Sequence, residues 1–399
     1  MPHHRNRLLE SRLKHSMKHS PIVGILGQRQ TGKTTLLEQL VPRGSYVTLD
    51  KATYLNSART SPEAFIDRGT TVLGIDECQL SPELFPALKE HVRVNKRPGQ
   101  FVLTGSVRFT SRKLIRESLT GRIVSHELLP LSLAELHEYD MVNVFELFRK
   151  SPTEINRTIP EKLRVLSRIK TEEFLLKGGL PGICFYREAG VRDERFTSHL
   201  DTLLQRDLHL VFDTTLPSDK LWRALRFLAK NQGKPFSFSE ASRETRISTP
   251  SLQRLIPAFE ALFLIRRVTA IGDRKKDRFF LEDQGMASFL YRERDPEMDL
   301  LRLVFSQVLA KIKYLFTDHG EVQSFETRSG VVVPLVLDVN GEKIGLIPVP
   351  AETPDARAIF ACDSFLRNYP KAVCIILTTG REITLIGKQR WVLPFQLLI

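Results

Sequence analysis

The sequence has few cysteines and no long apolar run. Its four cysteines, Cys78, Cys184, Cys362 and Cys374, are scattered and form no C-x-x-C pair, a pattern that disfavours a disulfide framework or a zinc site and favours a reducing cytoplasm. The longest apolar segments, PIVGILG and AVCIILTTG, are the size of strands and shorter than the ~18 residues of a membrane helix. The basic N-terminal segment lacks the apolar region of a secretory signal. We therefore expect a cytoplasmic protein without a membrane span.

Acidic residues are outnumbered by basic ones. The 399 residues include 59 Lys and Arg against 46 Asp and Glu, which gives a net charge of +13. Five of these cations lie in the first twenty residues, and DRKKDR at 273–278 is a second cluster. A basic balance of this size favours an anionic partner, most often nucleic acid, although the same charge can serve solubility alone.

Length and hydrophobic pattern indicate several domains. Apolar segments that end in turns alternate with helical patterns up to about residue 130, which predicts βαβ units and a parallel sheet. The next region is helical in pattern. It is followed by three helices and a pair of strands, and then by a long helix and several strands. We predict five units: a basic tail (1–19), an α/β core (20–140), a helical lid (141–216), a winged helix (217–285) and an α/β domain (286–399).

The segment GQRQTGKTT contains the motif G-x-x-x-x-G-K-[ST] between an apolar strand and a helical pattern. In that context the backbone N–H groups of the loop and the helix N-terminus can surround phosphates. Lys33 is expected to reach the β- and γ-phosphates, and the Thr34 hydroxyl to bind Mg²⁺. The residues expected to hold ATP are Gly27, Gln28, Arg29, Gln30, Thr31, Gly32, Lys33, Thr34 and Thr35.

An acidic pair follows a later apolar segment in VLGIDE. Asp76 is expected to hold Mg²⁺, and Glu77 to orient and deprotonate the attacking water. A glutamate directly after the aspartate is typical of P-loop proteins whose sheet carries an extra strand between the loop strand and the acidic strand. The segment QFVLTGS is predicted to be that strand, and its end would place Thr104 and Ser106 between the loop and Glu77. One of the two hydroxyl groups is predicted to contact the γ-phosphate or the attacking water, and a plain turn after a core strand is the alternative.

Phosphoryl transfer also needs positive charge near the γ-phosphate. Arg122, just before the fifth predicted strand, is a candidate arginine finger that would act on a neighbouring subunit, and Arg112 and Arg116 are alternatives. A surface or structural role for Arg122 explains its position equally well.

Taken together, these motifs resemble those of predicted prokaryotic AAA-superfamily ATPases. The segments GQRQTGKTTLLEQL, YVTLD, GIDECQ, FVLTGS, SLTGRIVSHELLPLSLAEL, FLLKGGLPG and LLQRDL occur in the same order, and the resemblance extends over about residues 20–350. It implies an ATPase followed by a domain of unknown function, with a winged helix and a nuclease-like fold. Gln28 stands where the family usually has proline.

The C-terminal part departs from that family. A nuclease-like core would bring carboxylates onto Mg²⁺, whereas this sequence has Val332, Pro334, Pro348 and Pro350 at the matching positions. Asp338 and Glu352 lie nearby but out of register. We therefore expect no nuclease activity, and we expect the prolines at a sheet edge or a bulge.

The predicted winged helix offers a nucleic-acid surface. Its third helix presents Gln253 and Arg254 among apolar residues, and its wing contains the basic cluster at 273–278, with Arg274, Lys275, Lys276 and Arg278. Phosphate contact by the wing and by the basic N-terminus is expected, whereas base-specific contacts are few. A module that only packs against the ATPase is the alternative.

The leading interpretation is an Mg²⁺-dependent ATPase whose turnover drives a conformational cycle on DNA or on a protein partner. The alternative is a slow, ATP-loaded switch that binds its partner with little turnover. A homo-oligomer is a further hypothesis, because a finger in trans would require one.

Overall fold

The computed structural model describes residues 5–109, 121–141, 143, 166–316 and 320–399. The helix predicted in TSRKLIRESL and the polar stretch near 151–160 lie outside these residues. Within the described ranges, the strands form a five-stranded and an eight-stranded sheet. None of the helices in those ranges combines the length and the hydropathy needed to cross a bilayer.

The first sheet is entirely parallel. Its strands are β1 (Ile22–Leu26), β2 (Tyr46–Thr48), β3 (Leu73–Asp76), β4 (Phe101–Gly105) and β5 (Ile123–Glu127). Their order is β2-β3-β4-β1-β5, so β4 lies between the loop strand and the acidic strand, and the predicted insertion is confirmed. Strands β1, β3 and β4 are buried throughout, as expected for a parallel sheet with helices on both faces.

Short helices accompany this sheet. They are α1 (Glu10–Met17), α2 (Lys33–Leu40), α3 (Ala52–Thr60), α4 (Pro62–Ile66), α5 (Leu84–Val94) and α6 (Leu133–His137). The local sequence explains several of their starts: Pro62 occupies the first turn of α4, and Ser132 and Glu135 form a reciprocal capping box at α6.

The predicted basic tail is folded from residue 5 onward. Leu9 and Leu13 have no exposed surface, and α1 contacts β1. These leucines are one helical turn apart, so they present one apolar face to the core. Residues 1–19 were described from their charge as a basic tail, and charge does not reveal this apolar face.

A helical segment connects the first sheet to a three-helix unit. The connecting helices are α7 (Thr171–Lys177) and α8 (Ala189–Thr202), and α8 continues into a π-helical turn at Leu203–Asp207. The unit that follows has α9 (Ser218–Lys230), α10 (Phe238–Thr245), α11 (Thr249–Ala261) and the hairpin strands β6 (Ile265–Gly272) and β7 (Arg278–Leu281). We refer to residues 218–281 as the helix–hairpin unit.

The C-terminal part adds helices and six strands. These elements are α12 (Gln284–Leu290), α13 (Pro296–Leu315), β8 (Gly320–Glu326), β9 (Val332–Val339), β10 (Glu342–Pro348), α14 (Ala356–Asn368), β11 (Val373–Thr378), β12 (Thr384–Ile386) and β13 (Arg390–Pro394).

The second sheet crosses the predicted boundary at residues 285 and 286. Its strand order is β12-β13-β11-β10-β9-β8-β6-β7. The first half of β6 pairs with β7, and its second half, from Thr269 to Gly272, pairs in parallel with β8. The helix–hairpin unit and the C-terminal strands therefore share one hydrogen-bonded sheet and are not two separate sheets.

Of the C-terminal prolines, Pro334 lies at an irregularity as expected, whereas Pro348 lies in an interior strand and not at a sheet edge or a bulge. Pro334 lies in β9 opposite a register shift between Gln323 and Phe325 of β8, and Pro348 is the last residue of β10. At the β9–β10 turn, the Asp338 carboxylate accepts hydrogen bonds from Lys343 and from the backbone N–H of Gly341. Asp338 therefore contributes to a turn.

Candidate functional site

The loop between β1 and α2 has a backbone that only certain residues permit. A Cβ atom at Gly27 would lie 2.2 Å from the carbonyl oxygen of Leu128, a contact that no side chain can make. Gly32 has φ 93° and Gln30 has φ 63°, both in the left-handed region. These turns place Lys33 at the first position of α2. The loop is therefore a preformed concavity at a helix N-terminus.

The Lys33 ammonium lies inside this concavity. Its side chain is buried, and Nζ donates a hydrogen bond of 2.9 Å to the carbonyl oxygen of Gln28. Burial lowers the pKa of Lys33, although the nearby carboxylates of Glu77 and Asp76 oppose this effect. A phosphate oxygen can replace the carbonyl as acceptor and supply the negative charge that a buried ammonium needs.

Asp76 ends β3 and binds three hydroxyl groups. Its Oδ2 atom accepts from Thr34 Oγ1 at 2.9 Å and from Tyr46 Oη at 3.2 Å, and its Oδ1 atom accepts from Thr104 Oγ1. The hydroxyl of Thr34 and the carboxylate of Asp76 are adjacent hard oxygen donors, the type that Mg²⁺ prefers. The predicted metal-binding pair is thus brought together, and it fits Mg²⁺ in its donor chemistry.

Glu77 is held in a defined orientation beside Asp76. Its backbone has φ 55°, and its N–H donates to Thr104 Oγ1 at 3.1 Å. Its Oε2 atom accepts hydrogen bonds from Gln79 Nε2 and from Ser106 Oγ, the latter at 3.1 Å. In the described structure, Thr104 and Ser106 therefore orient the acidic pair. Their predicted contact with the γ-phosphate or the attacking water stays a prediction.

The charge of Glu77 follows from opposing effects. Burial alone would raise the pKa of its carboxyl group, but Lys33, the Gln79 amide, Arg29 and the Ser106 hydroxyl together bring that pKa below the usual value. Glu77 is therefore a carboxylate at neutral pH, which is the form that a general base requires.

Three side chains from distant segments hold the loop, and sequence analysis had missed all of them. Arg7 donates from Nη1 to the carbonyl oxygen of Thr31 at 2.5 Å, from Nη2 to that of Leu129 at 2.7 Å, and from Nε to Glu135 at 2.9 Å. Arg7 lies two residues before Leu9, the first leucine of the apolar face of α1, and this position was the available signal.

The other two come from α8 and the π-helical turn after it. Asp207 pairs with Arg29, with Oδ2 2.5 Å from Arg29 Nε. His199 Nε2 lies 3.5 Å from Gln28 Nε2. Burial, followed by the charges of Arg29 and Lys33, lowers the pKa of His199 to about 4, so its imidazole is neutral at pH 7.

Arg7, Arg29 and the rest of the loop as far as Thr35 border a cavity of about 890 Å³, a size that accommodates a nucleotide. Its lining includes Glu77 and the loop residues from Arg29 to Thr35, together with Leu131, Pro181, Phe185 and Tyr186. Gln28 is fully buried below the loop. The cavity therefore combines cationic and N–H donors with apolar and aromatic side chains, which suits a triphosphate and a base.

Arg122 is not brought to this cavity. It directly precedes β5, whose first residue pairs with Ile22 at the start of β1. The loop follows the other end of β1, four residues and about 13 Å further along the strand. Arg122 therefore lies near the amino-terminal ends of the strands, whereas the loop of its own chain lies at their carboxyl-terminal ends. The alternatives Arg112 and Arg116 lie outside the described residues.

The comparison with protein families adds to this geometry. Residues 19–137 match the family model for an AAA domain. This part of the chain is an AAA domain. Its parallel sheet, its loop and its acidic pair are those of a P-loop ATPase. Residues 168–297 match a domain of unknown function (DUF8612), and this part of the chain contains Asp207 and His199, which contact Arg29 and Gln28 of the loop.

Several proteins are similar to larger parts of the chain. Two curated relatives, uncharacterized proteins from Mycobacterium bovis and Mycobacterium tuberculosis, are each 25% identical over 287 residues, which cover 69% of this chain and 57% of theirs. The chain thus spans little more than half the length of these relatives.

Among solved structures, the Walker-type ATPase PABY2304 of Pyrococcus abyssi is 18% identical, with 71% and 95% of the two chains covered and a TM-score of 0.39. AMPPCP-bound DnaA from Aquifex aeolicus is 15% identical, with 64% and 88% covered and a TM-score of 0.26.

Fewer of the predicted DNA-binding cations are exposed in the structure than the sequence suggested. Arg278 is buried and donates to Glu326 at 2.8 Å and to the carbonyl oxygen of Gly233 at 2.7 Å, so it cannot contact DNA as predicted. It is the first residue of β7, and its strand position turns it inward. Arg274 lies 3.6 Å from Glu326. Lys275 and Lys276 are exposed at the hairpin tip.

The N-terminal cations are also largely used within the fold. Besides the buried Arg7, Arg5 donates to the carbonyl oxygen of Leu136, and Arg12 donates to that of Lys313. These contacts bury Arg7 and engage Arg5 and Arg12, which stay half-buried, so fewer N-terminal cations are available for DNA than predicted. On the third helix of the unit, Gln253 and Arg254 are exposed as predicted.

Proposed function

We propose that the chain is an Mg²⁺-dependent ATPase whose hydrolysis cycle changes the contact between the AAA domain and the helix–hairpin unit, and that this cycle acts on DNA or on a protein partner. The observation that carries the proposal is the meeting of Lys33, Thr34 and Glu77 at one cavity, with Thr34 bonded to Asp76.

In this proposal each residue has one task. The loop N–H groups and Lys33 bind the phosphates, and Thr34 and Asp76 hold the metal. Bound Mg²⁺ would neutralise charge on the β- and γ-phosphates. Glu77 accepts a proton from the attacking water, because its carboxyl group is ionised and lies beside the loop.

The chain offers a path from this site to the helix–hairpin unit. Two residues after Ser106, Arg108 donates from its backbone N–H to the carbonyl oxygen of Ala261 and from Nε to that of Glu260, each at 2.9 Å. Its guanidinium lies 4.2 Å from the ring centre of Phe263. Because these contacts are at the end of α11, a shift at Ser106 on hydrolysis would move that helix.

DNA is the partner that the charge distribution favours. The helix–hairpin unit has the element order of a winged helix, and its third helix exposes Gln253 and Arg254 while its hairpin exposes Lys275 and Lys276. Together with the net charge of +13, these positions suit contact with phosphates, while they provide few groups for base recognition.

A second function is supported by the orientation of Glu77. Gln79 and Ser106 both donate to its Oε2 atom, so this carboxylate is engaged before any water arrives. A protein that kept this arrangement with ATP bound would turn over slowly and would serve as an ATP-loaded switch.

Steady-state ATP hydrolysis, measured with and without duplex DNA over a series of salt concentrations, tests both functions. A rate that DNA raises, and that salt returns to the basal value, supports the ATPase cycle on DNA. A very slow rate that no DNA changes supports the switch. The matched control is Glu77→Gln, which should be inactive under every condition if the measured rate belongs to this site.

A further inference from the structure

An ATPase of this type needs a second cation near the γ-phosphate, in addition to Lys33 and the metal. Arg122 lies near the amino-terminal ends of the strands of its own sheet, as described above. Among the residues that the structure describes, the loop contains its own candidate. Arg29 is the third residue of GQRQTGK, and it lines the cavity together with Lys33 and Glu77.

The Arg29 side chain is fixed from one side. Its Nε atom lies 2.5 Å from Oδ2 of Asp207, which is 1% exposed. Its Nη2 atom is buried, and within the described part of the chain it makes no hydrogen bond. The guanidinium is therefore anchored at one end and retains donor capacity at the other, which a phosphoryl oxygen bound in the loop would satisfy.

Asp207 is supplied by a local irregularity. It is the last residue of the π-helical turn Leu203–Asp207, and such turns place side chains that a regular α-helix would direct elsewhere. Its second oxygen, Oδ1, lies 3.7 Å from Nε of Arg206, whose guanidinium also reaches Asp50 at 3.4 Å. The carboxylate therefore lies within ion-pair distance of Arg206 in its own segment while Oδ2 pairs with the loop.

We propose that Arg29 is the catalytic cation for ATP bound in the same chain, and that Asp207 is the positioning residue for its guanidinium. In the step concerned, an oxygen of water bonds to the γ-phosphorus, and Glu77 accepts the proton. The bond from the γ-phosphorus to the β–γ bridging oxygen breaks, and its electron pair stays on ADP. Arg29 would donate to the oxygens on which charge develops. This inference rests on the proposed ATPase function.

One consequence separates this proposal from a finger in trans. If Arg29 acts in cis, hydrolysis per chain does not depend on a neighbouring subunit. Single-turnover rates should then stay constant when the protein is diluted, and Arg122→Ala should hydrolyse ATP at the wild-type rate under those conditions. A rate that falls in proportion to dilution, or rescue on mixing Lys33→Ala with Arg122→Ala chains, would overturn the proposal.

The direct test is a set of variants at positions 29 and 207. We expect Arg29→Ala to lose roughly 10²- to 10³-fold in kcat, with KM for ATP changed by less than about tenfold, because Lys33 and the loop still bind the phosphates. Arg29→Lys should recover part of kcat. Asp207→Asn should lower kcat with little effect on KM, and Asp207→Glu should restore part of it. Wild-type kcat in Arg29→Ala would refute the assignment.

A charge-swapped protein distinguishes catalysis from structural support. Arg29→Asp combined with Asp207→Arg keeps an ion pair between the loop and the π-helical turn. We expect this double variant to recover the thermal stability lost by either single variant but not the hydrolysis rate. Recovery of both would show that the pair is only structural. If Glu77→Gln also hydrolysed ATP at the wild-type rate, the proposed function itself would fail, whatever the result at Arg29.

Discussion

Replacement of Glu77 by glutamine tests the proposed chemistry with little disturbance of the fold. The Glu77 carboxylate accepts from Gln79 and Ser106 through a single oxygen, Oε2. A glutamine side chain of the same shape can present its carbonyl oxygen to both donors. The Lys33 ammonium and the Thr34–Asp76 pair are left in place. We therefore expect Glu77→Gln to bind ATP and Mg²⁺ with affinities close to those of the wild type.

Only the acceptor of the water proton is lost in this variant. General base catalysis contributes roughly 10²- to 10⁴-fold to rate, which corresponds to ~2.7–5.4 kcal/mol of activation free energy at about 1.36 kcal/mol per tenfold. The effect should therefore fall on kcat, and KM should change by much less.

Phosphate release measures kcat, and titration with a fluorescent ATP analogue measures binding. Lys33→Ala is the matched variant, because it should weaken binding as well as turnover. If Glu77→Gln hydrolysed ATP within about twofold of the wild type, Glu77 would not be the base.

The pH dependence gives an independent check. Because the pKa of Glu77 lies below the usual value for a glutamate, the carboxylate is the form present at neutral and mildly acidic pH, and protonation removes it only at low pH. We expect the rate to stay flat as pH falls from 7, with the loss assigned to Glu77 appearing only below the usual titration range of a glutamate. A loss centred near pH 6 that Glu77→Gln abolished would contradict the assignment.

Further variants test the loop, the folded N-terminus, the basic hairpin and the tail. Gly27→Ala should abolish ATP binding, since its Cβ atom would lie 2.2 Å from a backbone oxygen, whereas Gly190→Ala, with open space around it, should bind normally. Leu13→Ala should lower the free energy of unfolding by about 2–5 kcal/mol in urea titrations; a change below about 0.5 kcal/mol would mean that α1 is not packed. Replacing both Lys275 and Lys276 with alanine should reduce the salt dependence of DNA affinity by up to ~2 units of slope; an unchanged slope would exclude the hairpin. The purified protein should not cut DNA or RNA with Mg²⁺ or Mn²⁺, and metal-dependent cleavage that follows the protein through purification would contradict this.

The central part of the site could be predicted because its signals are local. The loop motif, the acidic pair and the apolar strands each occupy a few consecutive residues, and parallel pairing then brings the strand ends together. Because Glu77 directly follows Asp76, the sequence predicted a strand between the loop strand and the acidic strand. The sheet confirms this prediction, since β4 lies between β1 and β3.

The supporting residues could not be predicted in this way. Asp207 and Arg29 are 178 positions apart in the chain, and Arg7 and Glu135 are 128 positions apart. Such pairs depend on how segments pack, and an isolated Asp or Arg carries no local pattern that reveals its partner. The prediction for Arg278 was wrong for a related reason. A run of charged residues does not show where a strand begins, and Arg278 is the first residue of β7, where its side chain points inward.

The strand shared by the hairpin and the C-terminal part decides where this chain can be shortened. A protein ending near residue 297 would keep β6 but lose β8, so the backbone groups of Thr269–Gly272 would have no strand beside them. An uncovered strand of this kind invites pairing with a second molecule and precipitation. If such a deletion abolished DNA binding or ATP hydrolysis, the loss would be a consequence of aggregation and would not show that the deleted part carries the activity. Point substitutions that leave all eight strands in place avoid this ambiguity.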